Sequence, residues 1–234
     1  MLAVGSLDDC MAWGAATVDR QFENLVLVAG FVEAHAHVMA GMYSTLTYVG
    51  RFPRLMPDGA MLDGVGSTDE LIERLRSVEV ALNPGDPLLC SGFDPIYFDG
   101  PRMTLADLDS VSTTRMIVVA HVSGHILNVN SAVLAKAGLN PDSNLQGLAR
   151  DTAGNLTGEL QGPAVMGRAN RATGDGGLLR TLDVAGLRDF SRLTRRVGVT
   201  TATDLANALT DESVSALRVA TAEADFPLRI VPAM

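Results

Sequence analysis

Two of the four histidines, His35 and His37, stand two positions apart at the end of an apolar segment that predicts a strand. Side chains at positions i and i+2 of a strand point to the same face, so both imidazoles can reach one metal ion. We therefore predict His35 and His37 as metal ligands near the carboxyl end of that strand. Glu33 shares this face and is a candidate to support His35.

The other two histidines, His121 and His125, bracket Val-Ser-Gly directly after the apolar strand Met116–Ala120. Both are expected at the same end of the sheet as the first pair. We predict that they line the site. The alternative is structural: one histidine caps the strand and the other forms local hydrogen bonds.

Three carboxylates are further candidates to line the site. Asp94 follows the predicted strand Pro87–Gly92, Asp204 follows the predicted strand Val199–Thr203, and Glu159 lies in a Thr-Gly-Glu-Leu segment. A carboxylate at a strand end can bind a metal, orient a ligand histidine or cap the next turn. Capping is the alternative for Asp94 and Asp204, and a place in a hairpin is the alternative for Glu159.

The order of apolar patterns predicts an α/β fold. Predicted helices alternate with predicted strands, which favours a parallel sheet that is either open or closed into a barrel. The helices are predicted at Thr68–Leu82, Leu105–Leu108, Asn130–Gly138, Leu187–Val197 and Val214–Ala224. Beyond those already named, strands are predicted at Leu2–Gly5, Leu25–Val28 and Leu228–Val231, and a hairpin at Gly147–Gly158.

Composition restricts the class of protein. The 234 residues are 47% hydrophobic and carry a formal net charge of −9. This is enough for a globular core, and the acidic balance argues against nucleic-acid and anionic-membrane partners. Cys10 and Cys90 form no CxxC motif, the first ten residues do not resemble a signal peptide, and no apolar run is long enough for a membrane span. We expect a soluble, cytoplasmic protein.

Several segments together resemble a known family. Ala29–Val38 (AGFVEAHAHV) is similar to the PGFxDxHxH signature of the amidohydrolase superfamily. The chain further resembles the amidohydrolase-3 branch of YtcJ-like and N-substituted formamide deformylase-like proteins. The segments that carry this likeness, in the branch's order, are Gly92–Pro95, Leu105–Asp109 with Met116–Val119, Gly124–His125 with Val129–Ser131 and Leu134–Gly138, Asp151–Leu160, Gly198–Asp204 and Phe226–Ile230.

The resemblance implies a distorted (β/α)8 barrel with a small β-sandwich built from both chain ends. It also implies one or two divalent metal ions, often zinc, that activate water for attack on a carbon–nitrogen bond. His35 and His37 match the ligands on the first strand, and His125 matches a histidine that lines the site. We accordingly expect a hydrolase of non-peptide C–N bonds, such as those of amides or formamides.

Family members are usually more than twice as long, so we expect an N-terminal fragment. Residues 1–28 would be remnant strands of the sandwich, and residues 29–234 an incomplete barrel of about five strands. The general-base aspartate, later ligand histidines and any bridging lysine are expected beyond residue 234. Lys136 is unsuited to that bridging role because it lies in a predicted helix. The segment alone is expected to bind metal weakly and to have little activity.

Two other functions stay open. One is a cupin-like HxH metal protein or oxygenase, although the HxH is not followed by the usual glutamate and cupins are all-β. The other is a catalytically silent α/β protein whose histidines are structural. The expected partner is a small-molecule substrate, with a homodimer left open. The loop Arg51–Ser67 is expected to shape specificity.

Overall fold

The computed structural model describes residues 3–14, 16–174, 178, 182–205 and 209–233. The described α-helices are α1 (Leu7–Met11), α2 (Thr68–Glu79), α3 (Leu105–Asp109), α4 (Ser131–Lys136), α5 (Pro163–Ala172), α6 (Val184–Arg196) and α7 (Asp211–Thr221). The described strands are β1 (Phe31–Ala36), β2 (Thr47–Tyr48), β3 (Arg54–Leu55), β4 (Met61–Leu62), β5 (Leu88–Phe93), β6 (Ile117–His121), β7 (Ile126–Val129), β8 (Leu148–Arg150), β9 (Leu156–Gln161), β10 (Val199–Asp204) and β11 (Arg229–Pro232). Two 3₁₀ helices, Val38–Thr45 and Pro95–Tyr97, follow β1 and β5.

Parallel and antiparallel pairs are combined in the sheets. β2, β5 and β6 pair in parallel, and β7, β9 and β8 extend the same sheet with antiparallel pairs. A second, parallel sheet has the order β1-β10-β11, and β3 and β4 form a short hairpin. The mixed α/β class predicted from the sequence is confirmed. The helices contradict the cupin alternative, which requires an all-β chain.

The strand order differs from that of a continuous arc of a (β/α)8 barrel. Successive strands of such a barrel are neighbours. Here β1 pairs with β10, and the described residues show no ladder between β1 and β5. β1 is an edge strand with five of its six residues exposed. The partial barrel of about five strands therefore stays a prediction.

β6 is buried on both faces, as its unbroken apolar run predicts. Val118 packs on one side with the cluster that contains α4 and α5 residues. Ile117 and Val119 pack on the other side with residues of α2 and α3. This alternation follows the two-residue period of a strand, and each buried aliphatic side chain contributes roughly 1.5–3 kcal/mol. The strand is therefore held between two cores, with His121 at its carboxyl end.

Local capping explains where the predicted helices begin. The Ser67 hydroxyl accepts a hydrogen bond from the backbone N–H of Glu70 at 3.1 Å, so α2 begins directly after Ser67. α3, α4, α6 and α7 are confirmed near their predicted bounds. In this described part of the chain, no helix combines the length and the apolar content that crossing a bilayer requires.

The predicted hairpin is confirmed as the antiparallel pair β8 and β9. Gly147 precedes β8 with a φ of +89°, and an added Cβ atom would lie 1.8 Å from the Gln161 carbonyl oxygen. Only glycine allows this close approach of two backbones.

The strands predicted near the N-terminus are wrong. Residues 3–6 and 25–28 form no strand, and α1 begins after Ser6, which forms a capping box with Asp9. Leu2 lies outside the described residues. Leu25–Val28 is apolar and exposed, with no ladder to a partner strand. An apolar β-forming run becomes a strand only when a neighbour satisfies its N–H and C=O groups. The division at residue 28 stays a prediction.

Asn130 links β6 to α4 and is fully buried. Its Oδ1 atom accepts from the backbone N–H groups of Ile117, at 3.1 Å, and Val133, at 3.3 Å. Its Nδ2 group donates to the carbonyl oxygens of Ser112 and Arg115, both at 2.7 Å. One side chain thus satisfies four backbone groups.

We predict that Asn130→Ala lowers the free energy of unfolding by about 3 kcal/mol, because the cap is lost and buried backbone groups are left unpaired. Urea unfolding followed by circular dichroism measures this loss. Asn140→Ala is the matched control, because Asn140 caps an exposed turn through the backbone N–H of Asp142. Equal urea midpoints for the two variants would contradict the assigned role of Asn130.

Candidate functional site

The two histidines of the HxH motif lie on the same side of the chain at the carboxyl end of β1. Their ring centroids are 5.1 Å apart with an interplanar angle of 87°. His35 is in β1, whereas His37 lies one residue beyond its end and keeps an extended backbone with φ −128° and ψ 94°. This extended geometry continues the strand's alternation. Both side chains are exposed and Ala36 between them is buried.

Glu33 contacts the backbone of this motif rather than its rings. The Glu33 Oε1 atom accepts from the backbone N–H of His35 at 3.1 Å. This bond fixes the local chain but does not orient an imidazole.

The number of potential ligands around His35 and His37 determines how well this pair could bind a metal ion. A catalytic zinc site takes about three protein ligands and keeps one position open. Within the described ranges, no group of three or more His, Cys, Asp or Glu side chains is close enough to hold an ion. His35 and His37 therefore fit the first two positions of a metal site, and the described chain does not complete the ligand set.

A cavity of about 610 Å³ brings three of the histidines together. His37, His121 and His125 all line it. Its other described lining residues are mainly apolar and aromatic, among them Met39, Tyr43, Tyr48, Val122, Leu127 and Met166. The volume and lining are typical of a site for a small molecule.

His121 is buried at the end of β6 and is held in one tautomer. Its Nε2 atom is 2.6 Å from Asn128 Oδ1, and the Nδ2 group of Asn128 donates to the Met103 carbonyl oxygen at 3.2 Å. The Asn128 amide is thereby oriented with its oxygen toward the ring. Because that oxygen only accepts, Nε2 carries the proton and, in the neutral ring, Nδ1 keeps its lone pair.

Burial favours the neutral form of this ring. Only 6% of His121 is exposed, and the ring of Phe93 contacts it edge-on at a centroid distance of 5.0 Å. Burial lowers the pKa of His121 below its ordinary 6.5, and the Asn128 hydrogen bond and the negative charge of Glu159 oppose this shift.

His125 reaches the cavity because the chain turns sharply after β6. The backbone N–H of Gly124 donates to the His121 carbonyl oxygen at 3.0 Å, and Gly124 has a φ of +71°. The positive φ is one that glycine adopts without strain. His125 itself is exposed, and its backbone N–H donates to the Ser123 hydroxyl at 3.3 Å.

Glu159 is a buried, fully paired carboxylate on β9. Its Oε2 atom accepts from Nη2 of Arg102 at 2.7 Å and from Nε at 3.0 Å. Its Oε1 atom accepts from the Gln161 side chain at 2.6 Å. It lies opposite Asn128 in the sheet and close enough to His121 to influence its pKa. Glu159 thus influences His121 through its charge and is not one of the described residues that line the cavity.

Neither aspartate completes a ligand set with the HxH pair in the described part of the chain. Asp94 caps the 3₁₀ helix Pro95–Tyr97, and its Oδ1 atom accepts from the Ile96 backbone N–H at 3.2 Å. Asp204 is buried and pairs in register with Ala36. Within the described residues, Asp204 does not complete a group of three potential metal ligands with His35 and His37.

The structure also places three residues at this site that the motifs did not indicate: Asn128, Arg102 and Arg54. Asn128 and Asn130 are both buried polar residues at alternate positions of a Leu-Asn-Val-Asn segment. Asparagine in an apolar strand signals a side chain with hydrogen-bonding partners. The two arginines had no such signal, because their neighbours are distant in sequence.

Comparisons with known proteins identify relatives of this chain. A family model described as "Amidohydrolase family" matches residues 22–234. A putative amidohydrolase, YtcJ of Bacillus subtilis (strain 168), is 26% identical over 148 residues, which are 62% of this chain and 26% of that protein. The exoenzymes regulatory protein AepA of Pectobacterium carotovorum subsp. carotovorum is 28% identical over 171 residues, 69% of this chain and 35% of that protein.

Solved structures share the fold. An uncharacterized metal-dependent hydrolase from Pyrococcus horikoshii OT3 superposes with a TM-score of 0.54 at 16% identity, over 87% of this chain and 36% of that chain. A second such hydrolase, from Pyrococcus furiosus, gives a TM-score of 0.52 at 17% identity, over 87% of this chain and 37% of that chain. This chain thus spans about a quarter to a little over a third of the length of these relatives.

We predict that His121 makes the fold less stable in acid. The unfolded ring takes up a proton near pH 6.5, while the buried ring resists it. This contribution is complete above pH 6.5 and is lost as the pH falls through the lowered folded pKa. Unfolding free energies measured between pH 5 and 8 should show a steeper loss for the native chain than for His121→Gln. His125→Gln, at an exposed ring, should keep the native slope; identical slopes in all three proteins would refute the prediction.

Proposed function

Because the chain belongs to the amidohydrolase family, in its amidohydrolase-3 branch, we propose that the protein is a metal-dependent hydrolase of non-peptide carbon–nitrogen bonds. Amides and formamides are the proposed substrates. One observation carries the proposal: two imidazoles lie on the same side of the chain, 5.1 Å apart, at the carboxyl end of a parallel strand. One of them lines a cavity of small-molecule size. The names of the structural relatives support the same class.

His35 and His37 would hold a divalent ion, with zinc as the first choice because neutral imidazoles suit it. When bound, such an ion lowers the pKa of its water from 15.7 to about 7 and so supplies hydroxide at neutral pH. The remaining ligands and the general-base aspartate are proposed to come from the part of the family that this chain does not match. His125, on the rim of the cavity, would face the substrate.

The cavity around these histidines would bind and shield the substrate. Its apolar side chains exclude water, which strengthens polar contacts made inside it. His121 presents a neutral ring whose proton is committed to Asn128. It would therefore accept a hydrogen bond from a substrate N–H group at Nδ1 rather than donate one.

The cellular setting is part of the same proposal. Cys10 and Cys90 are free thiols, which favours a reducing compartment such as the cytoplasm. Burial raises the pKa of the Cys90 thiol far above neutrality, so it is inert.

The net charge of −9 favours small-molecule rather than nucleic-acid partners. A homodimer is the association state to test.

A catalytically silent α/β protein is the second candidate, because the described residues provide no third ligand to the exposed pair. The two candidates differ in metal content and turnover. The full-length protein, purified without chelator, should contain a divalent metal and should hydrolyse amides or formamides. Removal of the metal should abolish hydrolysis, and added zinc should restore it. Full hydrolytic activity of the metal-free protein would contradict the proposal.

We predict that the 234-residue chain binds zinc weakly and that binding depends on the HxH pair. Replacing both ligands, in His35→Gln/His37→Gln, should weaken binding by roughly tenfold or more. Isothermal titration calorimetry with zinc at pH 7.5 measures the change. His125→Gln is the control, because it removes an exposed histidine of the same cavity. If this control loses as much affinity as the double variant, the ligand assignment is wrong.

A further inference from the structure

The cavity that His37, His121 and His125 line contains a positive charge, although the chain as a whole is acidic. No aspartate or glutamate occurs among its described lining residues, and Arg54 is the one arginine or lysine among them. The whole chain nevertheless carries nine more acidic than basic residues. A cation in a partly apolar recess without acids creates a positive potential that attracts small anions.

Arg54 reaches this cavity from β3, within the loop Arg51–Ser67. Its guanidinium carbon lies 5.4 Å from the centroid of the Tyr48 ring. Its Nη1 group is 3.4 Å from the Ser91 hydroxyl, which is a long contact with a neutral acceptor. Arg54 is half-buried, and burial lowers its pKa, although an arginine side chain stays charged in proteins.

The other half-buried arginines of the described chain have strong partners: Arg74 donates to the backbone carbonyl oxygens of Tyr48, Asp63 and Gly64, and Arg115 pairs with a glutamate. Arg102, Arg115 and Arg188 each form an ion pair with a glutamate, at N···O distances of 2.5–2.8 Å. Arg54 forms no ion pair with any described carboxylate, and the one charge-related partner that influences its pKa is Tyr48. An arginine beside an aromatic ring still has N–H donors in the guanidinium plane, and these match the two oxygens of a carboxylate.

We propose that Arg54 anchors a carboxylate of the substrate in this cavity, which narrows the substrate class to amides or formamides that carry a carboxylate. The narrowing rests on the proposed hydrolase function, whereas the anchor itself does not. A carboxylate is favoured over a phosphate because a single guanidinium provides one planar fork. A phosphate dianion would need further cations that the described lining lacks.

A pair of probes of equal shape tests the anchor without turnover. N-acetylleucine carries a carboxylate, and N-acetylleucinamide replaces it with a neutral amide. Their dissociation constants are measured by ligand-observed NMR with the metal-free 234-residue chain, alongside inorganic phosphate as a competitor. We expect the acid to bind roughly tenfold more tightly than the amide, as for one partly exposed charge-assisted hydrogen-bonded pair.

Variants then assign this preference to one side chain. Arg54→Gln should bind the two probes equally, and Arg54→Lys should keep part of the preference because it keeps the charge. Arg51→Gln is the matched control, because Arg51 is exposed in the same loop and does not line the cavity. It should retain the native preference. Circular dichroism and thermal melting verify that each variant is folded.

Three results would overturn the anchor. The native chain could bind the acid and the amide equally, or the preference for the acid could survive Arg54→Gln. Alternatively, inorganic phosphate could bind the cavity more tightly than N-acetylleucine does. If the full-length protein hydrolyses neutral amides in a metal-dependent way without any such preference, the anchor fails and the hydrolase stands. If the preference depends on Arg54 but no amide or formamide is hydrolysed with any divalent ion, the hydrolase fails and the anchor stands.

Discussion

Burial of β6 on both faces is the constraint on which the cavity depends. Residues on alternate sides of this strand enter two separate cores, so a shift by one residue would move each set into the core that is packed for the other. Its register fixes the positions of His121 at its end and of Asn128 on the neighbouring strand. Asn130 then joins the end of that neighbouring strand to the start of β6 through hydrogen bonds. The apolar packing of β6 therefore holds His121 and Asn128 in place beside the cavity.

Local signals made much of this arrangement predictable from the sequence. The period of apolar residues and the caps identify α2, α4 and α6, because both depend on residues within one or two turns. The run Leu25–Val28 has the same local character as a buried strand. Its prediction failed because strand formation needs a partner that is distant in the sequence.

The candidate site was predictable from the sequence to a similar extent. Spacing alone places His35 and His37 on one side of the chain, since an extended backbone alternates at every residue. It does not reveal that Glu159 is neutralised by Arg102, 57 residues away. A carboxylate at a strand end looks the same in sequence whether it caps, pairs or binds a metal, because tertiary contacts decide between these roles.

The balance of charges around the cavity argues that its cation has a function. Taking an ion out of water costs several kcal/mol when it is fully buried, and less for a half-buried group such as Arg54. A cation–π contact returns about 0.5–2 kcal/mol, and the long contact to Ser91 adds little. Arg102, by contrast, turns toward a carboxylate and forms an ion pair with Glu159. Arg54 instead keeps its charge at the small-molecule cavity that His37 also lines, where a substrate anion would compensate it.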